Sequence, residues 1–384
     1  MTYDLQSLIF AEKIKSFLKS EPELFLFWKG RVALYALLLA CGISKDDEVV
    51  MPAYTCVVVP NAIIYTGAKP IYVDNKPDTY NIDVSKIEAA ITPKTKVIIC
   101  QNTYGLSSNI EEIIEIAKKY NLYTIEDCCH GFGGTYNGKP NGTFLDAAFF
   151  STQWNKPFST GLGGMALINN EKLIPKMKEL DKNKIAPSLK EKAVLKFLYF
   201  VRRYMLRDFS YWFLVWLYRL LSKNNLIIGS SQGPELEKPE MPKDFFKGFS
   251  ATQAKEGVEN LKSLDSLLVL RKNNAKIYTN FLEKNGKKCV KKELFKNHSF
   301  LKYPILVKNR DKFMELAQKD RIRLGDWFVS PLHPILKNFE YWFFKKDDYP
   351  CASEIADRVV NIPTETKDIE KVLDFLDRNI DFVV

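Results

Sequence analysis

The run Leu122-Tyr-Thr-Ile-Glu126-Asp127-Cys128-Cys129-His130 decides the fold. An apolar, β-branched segment ends on an acidic pair, and it follows a helical pattern over Ile110 to Tyr120. Three similar runs stand upstream, at Glu48-Val-Val-Met-Pro52, Pro70-Ile-Tyr-Val-Asp74 and Lys96-Val-Ile-Ile-Cys100. Each is short and bounded by turn residues, as strands are. A second helical pattern, Thr55 to Tyr65, separates two of them. Strands alternating with helices predict βαβ units, hence an α/β fold around a mostly parallel sheet with both faces covered. In such sheets ligands bind outside the carboxyl ends of the strands, which is where Asp127 falls.

Downstream of Asp127 come Phe149-Phe-Ser151-Thr-Gln153-Trp-Asn-Lys156 and the glycine run Gly161-Leu-Gly163-Gly164. Lys156 alone would read as a surface lysine. A buried carboxylate, a hydroxyl, a lysine and a flexible loop in that order suit pyridoxal phosphate (PLP). The carboxylate pairs with the pyridinium nitrogen, the hydroxyl meets the phosphate, and the lysine forms the Schiff base. Lys156 must lose its proton to attack carbonyl carbon, and a desolvated site would lower its pKa.

Arg31 to Gly42 reads as a buried helix ending at the glycine. From Gln253 the pattern changes. A helical stretch to Lys284 precedes Leu301-Lys-Tyr-Pro-Ile-Leu-Val307 and helices near 310–319 and 367–379. This predicts a large cofactor-binding domain over 1–250 and a smaller α+β domain over 251–384.

With 384 residues, 46% of them hydrophobic and 27% charged, the chain is globular rather than disordered. Its seven cysteines show no paired CxxC clusters, so no metal site is expected. Cys56, Cys128 and Cys129 read as small packing residues beside the cofactor. Free thiols and an N-terminus without an export-signal pattern place the protein in the cytoplasm.

Charge is concentrated. Residues 170–225 hold 13 Lys/Arg against 5 Asp/Glu, so +8 of the net +10 lies there. One basic appendage, without a nucleic-acid-reading motif, argues against nucleic acid as a partner. Within it, 187–228 interleaves arginine with aromatic bulk, as in Arg202-Arg203-Tyr-Met-Leu-Arg207 and Tyr211-Trp212-Phe213-Leu-Val-Trp216. The longest uncharged run, Phe209 to Tyr218, is too short to span a bilayer. Two readings stand: a peripheral helix at the inner face of the membrane, or helices packed on the body or on a second subunit.

Together these residues resemble the DegT-type nucleotide-sugar aminotransferases, a PLP family of fold type I. The likeness runs from about Gly30 to Pro363. It includes Gly30-Arg-Val-Ala-Leu34, Met51-Pro-Ala-Tyr-Thr55, Gly67-Ala-Lys-Pro-Ile-Tyr-Val-Asp74, Glu126-Asp127, the Lys156 segment, Ser330-Pro-Leu-His-Pro334 and Asn361-Ile-Pro363.

The resemblance implies that Lys156 anchors the cofactor and shuttles protons, while Asp127 salt-bridges the ring nitrogen. Ser151 would hold the phosphate with the backbone N–H groups of Gly30, Arg31 and Val32, a dipole-favoured anion site. His130 would lie near the phenolic oxygen. Where the family carries a small polar residue, Arg31 stands and would pair with the phosphate. Where it carries a stacking aromatic, Cys56 stands. Gln153 replaces a frequent histidine, and Gly248 an asparagine that reaches the partner's cofactor. Trp327 and His333 are candidates for substrate contact.

The implied activity moves an amino group from an amino acid, glutamate, to a nucleotide-linked keto-sugar for surface polysaccharide or glycoconjugate biosynthesis. A homodimer is the implied assembly. A PLP-dependent sugar dehydratase and a non-catalytic regulatory relative are the alternatives; dehydratases of this fold replace the lysine, and Lys156 is present.

Overall fold

The computed structural model describes residues 3–207, 210, 213–214, 216–217, 220 and 233–384. Of the insert, 208–209, 211–212, 215, 218–219 and 221–232 lie outside the described residues, Trp212 and Arg219 among them.

Strands are β1 (Glu23–Phe27), β2 (Glu48–Pro52), β3 (Thr55–Cys56), β4 (Lys69–Val73), β5 (Thr95–Gln101), β6 (Tyr123–Asp127), β7 (Thr135–Tyr136), β8 (Lys139–Pro140), β9 (Ala147–Ser151), β10 (Gly164–Ile168), β11 (Tyr303–Leu306), β12 (Leu332–His333) and β13 (Val359–Ile362). Helices are α1 (Leu5–Leu18), α2 (Gly30–Ala40), α3 (Val58–Ile64), α4 (Ile87–Ala90), α5 (Ile110–Tyr120), α6 (Ile174–Lys182), α7 (Leu189–Phe200), α8 (Ala251–Leu261), α9 (Leu264–Lys284), α10 (Arg310–Lys319), α11 (Pro350–Arg358) and α12 (Ile369–Arg378).

Seven strands form one sheet in the order β1-β10-β9-β6-β5-β2-β4, in which β10 alone runs against its neighbours. The central strands are apolar on both faces because both are covered. Val97 and Ile99 of β5 join the core that includes α2, whereas Ile98 and Cys100 join the core beneath α5. That two-residue alternation is the strand period itself. Helix α5 turns Ile110, Ile113, Ile116 and Ala117 inward. Its first turn holds Glu111 and Glu112 and its last Lys118 and Lys119, matching the helix dipole at each end.

A separate core forms where α9 (Ala275, Tyr278, Leu282) meets β11, β13, Phe313 of α10 and Phe375 of α12. Full burial of one such phenylalanine contributes about 1.5–3 kcal/mol. The helical stretch expected from Gln253 to Lys284 is two helices, and the first belongs to the larger body. A Ser250/Gln253 capping box starts α8, and its Ala254 shares a core with Phe10 of α1. Likewise, the helix expected from Thr55 starts only at Val58, because Thr55 and Cys56 pair as β3 with Leu332 and His333 of β12. That pairing brings the late Ser-Pro-Leu-His-Pro segment to the ends of the large-sheet strands. Among the described residues no helix is long and apolar enough to cross a membrane.

Candidate active site

At the carboxyl ends of β5, β6 and β9 lies a cavity of about 210 Å³. Gly30, Arg31, Cys56, Asp127, His130, Ser151 and Lys156 all line it. Val32 does not; its side chain joins the sheet core, and its amide donates to the Lys29 carbonyl at 3.1 Å.

Strand alternation separates the two adjacent acids. Glu126 points away from the cavity and accepts from Asn102 Nδ2 at 2.7 Å and the Gly142 amide at 2.8 Å. Asp127 points into it and accepts from the Cys129 amide at 2.9 Å. Burial raises the Asp127 pKa, opposed by that amide hydrogen bond and by the Lys156 charge. A buried carboxylate of this kind gains from a cation placed against it.

His130 is buried, and burial pushes its pKa well below the ordinary value, followed by the charges of Lys156, Lys302 and His333. Its Nδ1 accepts from the Tyr104 amide at 3.3 Å, which assigns the proton of the neutral ring to Nε2. Trp327 stacks on His130 with ring centroids 5.1 Å apart, and Lys156 Nζ lies 4.6 Å from the Trp327 ring centre. Two buried tyrosines hold this wall. Tyr104 Oη donates to the Trp327 carbonyl at 2.6 Å, and Tyr54 Oη accepts from the Phe328 amide at 3.0 Å.

Opposite, the first turn of α2 abuts the end of β9. A Cβ on Gly30 would meet Ser151 Cβ at 2.9 Å, so glycine permits the helix terminus to approach the serine hydroxyl. Arg31 lies in this cradle already engaged: its guanidinium pairs with the Glu235 carboxylate, both side chains almost fully buried. The expectation that Arg31 pairs with phosphate is thus modified, since a carboxylate from the stretch that follows the insert holds it.

Lys29, Gln101 and Asn155 also line the cavity and were missed in the sequence. Burial, then the Arg31 charge, pushes the Lys29 ammonium down to about 8. Its one legible signal was adjacency to Gly30. Trp327, Phe328 and His333 complete the wall from the late segment. Lys29, the α2 terminus and Ser151 suit a phosphate; Asp127 suits a protonated ring nitrogen; Lys156 lines the same cavity beside Trp327. The residues present therefore fit PLP.

The architecture is that of solved DegT-type aminotransferases. The ntda structure from Bacillus subtilis with bound cofactor PMP superposes with a TM-score of 0.73 at 23% identity, covering 99% of this chain and 78% of that one. A DegT DnrJ EryC1 StrS aminotransferase from Brucella abortus gives 0.75 at 21%, covering 98% and 90%. The model of the DegT/DnrJ/EryC1/StrS aminotransferase family matches residues 7–197 and 248–376, and the chain belongs to that family. The unmatched 198–247 contains most of the basic insert. An uncharacterized protein of Methanocaldococcus jannaschii is 30% identical over 377 residues, 96% of this chain and 87% of its own length. GDP-perosamine synthase of Escherichia coli O157:H7 is 49% identical over 144 residues, a match spanning 38% of this chain and 40% of that enzyme.

Proposed function

We propose that the protein is a PLP-dependent aminotransferase that moves an amino group from an amino acid, glutamate, to a keto-sugar carried on a nucleotide. The observation that carries this reading is the convergence of Asp127, Lys156, Ser151 and the Gly30 helix terminus on one cavity. The family and the likeness to a GDP-perosamine synthase support the sugar class.

Lys156 would anchor the cofactor, Asp127 would face its ring nitrogen, and Lys29, Ser151 and the Gly30 terminus would hold its phosphate. When bound, the group supplies an electron sink for the pair left at the carbon beside nitrogen. Asp127, kept ionised by a cation opposite, sustains that sink. Lys156 Nζ would take the proton from the donor's α-carbon. In the second half-reaction it delivers a proton to the sugar carbon that becomes aminated. His130 Nε2–H donates to an anionic oxygen without carrying charge of its own. Trp327 and Phe328 exclude water and supply the aromatic wall that Cys56 cannot. Two half-reactions on one lysine give ping-pong kinetics.

We also read the working assembly as a homodimer and the role as supply of amino-sugars for surface polysaccharide or glycoconjugate synthesis. The test is a mass-spectrometric screen of nucleotide-linked keto-sugars, guanosine diphosphate carriers first, with protein, PLP and glutamate. An amino-sugar product together with 2-oxoglutarate is expected. No amination of any keto-sugar, with glutamate unconsumed, would overturn the reading.

A further inference from the structure

Helix α7 uses two opposite sides. Leu195 is fully buried, and Tyr199 four residues on donates to the Thr160 carbonyl at 2.7 Å and packs edge-on to Trp154 at 5.6 Å. Arg202 then donates to the Trp154 carbonyl at 3.2 Å and lies over its ring. This stripe grips the loop that carries Lys156. At Gly161, φ is +72° and a Cβ would meet Tyr199 at 2.5 Å, so the loop and the helix fit only through glycine.

The far side faces water. Phe197, Phe200 and Tyr204, spaced three and four apart, are 60%, 53% and 58% exposed. Further along, Phe213 and Trp216 are equally open, with ring centroids 6.0 Å apart. Large aromatics exposed together on a soluble domain mark a surface that binds something.

Charge selects what binds. Residues 187–220 carry seven Lys/Arg against two Asp/Glu; Lys196 and Arg207 are exposed, and Arg203, also exposed, is paired with Glu256. A second copy docked by a two-fold axis would set this positive face against itself. Anionic lipid complements it, with aromatic rings at the headgroup boundary and long basic stems along it.

We propose that this face of the insert seats on an anionic lipid surface, and that α7, gripping the Lys156 loop from its other side, holds the active site beside the membrane. Lipid binding by this face does not depend on the reaction at Lys156.

Full-length protein is floated on a density gradient with phosphatidylcholine vesicles, with or without roughly 30% phosphatidylglycerol. The protein should float with the anionic vesicles at low salt. Binding should fall about tenfold in 0.5 M salt or on pure phosphatidylcholine, since exposed charges are then screened or unmatched. Replacing Phe197, Phe200, Phe213 and Trp216 by serine should also lower binding about tenfold, with the circular dichroism and sedimentation of the wild type. Should that variant misfold, Lys196→Glu with Arg207→Glu, both exposed, decides: binding at low salt should fall to the high-salt level. A wild type that does not float, flotation indifferent to salt and lipid charge, or a serine variant that splits the wild-type oligomer would overturn the proposal. The last result would assign the face to a second copy of the chain.

Discussion

Lys156 of the cavity lies 4.6 Å from the ring centre of Trp327, and the buried Lys302 lies 5.3 Å from the same ring. On α7 and the turn after it, Arg202 lies 5.3 Å from the Trp154 ring while Phe197 and Phe200 stand in water. The residue types are the same and the surroundings opposite. Burial lowers the pKa of Lys302, Lys29 and His130, so proton affinity there is set by position and the groups can do chemistry. On the insert Arg202 is tied to Trp154 and Arg203 to Glu256, whereas Lys196 and Arg207 are exposed and act through their field and their stems. Aromatic–cation pairs thus serve reaction or adhesion according to how much water they have lost.

The sharpest break between the regions is expected at Lys156. Lys156→Ala should lower amination at least about a thousandfold, because anchor and proton carrier vanish together, while flotation stays as in the wild type. Retained turnover would move the chemistry elsewhere. Asp127→Asn should come next, with turnover down about 100-fold and KM nearly unchanged, since the carboxylate matters most when negative charge develops on the reacting carbon. Equal turnover would mean another group faces the ring nitrogen.

Arg31 of the cavity is held by Glu235, which lies beyond the insert. Glu235→Ala leaves a buried guanidinium without this carboxylate and should destabilise the protein by about 3 kcal/mol in urea titration. Added PLP should restore part of the loss, because its phosphate gives Arg31 a new anion. A change within 0.5 kcal/mol would mean that the pair is incidental.

The smallest effect concerns Lys29. Its ammonium, pushed down to about 8, discharges as pH rises through that value. Cofactor affinity should therefore fall severalfold from pH 7 to 9, and Lys29→Gln should flatten the profile. Stability moves the other way: between pH 8 and the ordinary lysine value the unfolded chain binds the extra proton, so this group favours the folded state increasingly as pH rises. A wild-type affinity indifferent to pH would remove Lys29 from the phosphate site.

The parallel strands were legible because each is a β-branched run buried on both faces, so composition alone marks it. Glu48 to Pro52 agrees with the observed β2, and the other three runs lie within a residue of β4, β5 and β6. The strand Glu23–Phe27 was not read. It pairs with β10, about 140 residues away, and nothing local announces that partner. The same limit applies within the site. Asp127, Ser151 and Lys156 lie on one short stretch with a recognisable order, whereas Lys29, Gln101 and Glu235 reach the cavity or its arginine only through tertiary packing. The break between α8 and α9 turns on Lys262 and Ser263, residues a helix tolerates, so pattern alone ran through it.

The central claim is that Lys156 carries the cofactor. Protein reconstituted with PLP should show a visible absorbance band that sodium borohydride abolishes, fixing the group to a lysine. Proteolysis and mass spectrometry of the reduced protein should then find the added mass on the peptide containing Gln153-Trp-Asn-Lys156. A labelled peptide without Lys156, or no band at all, would contradict the account.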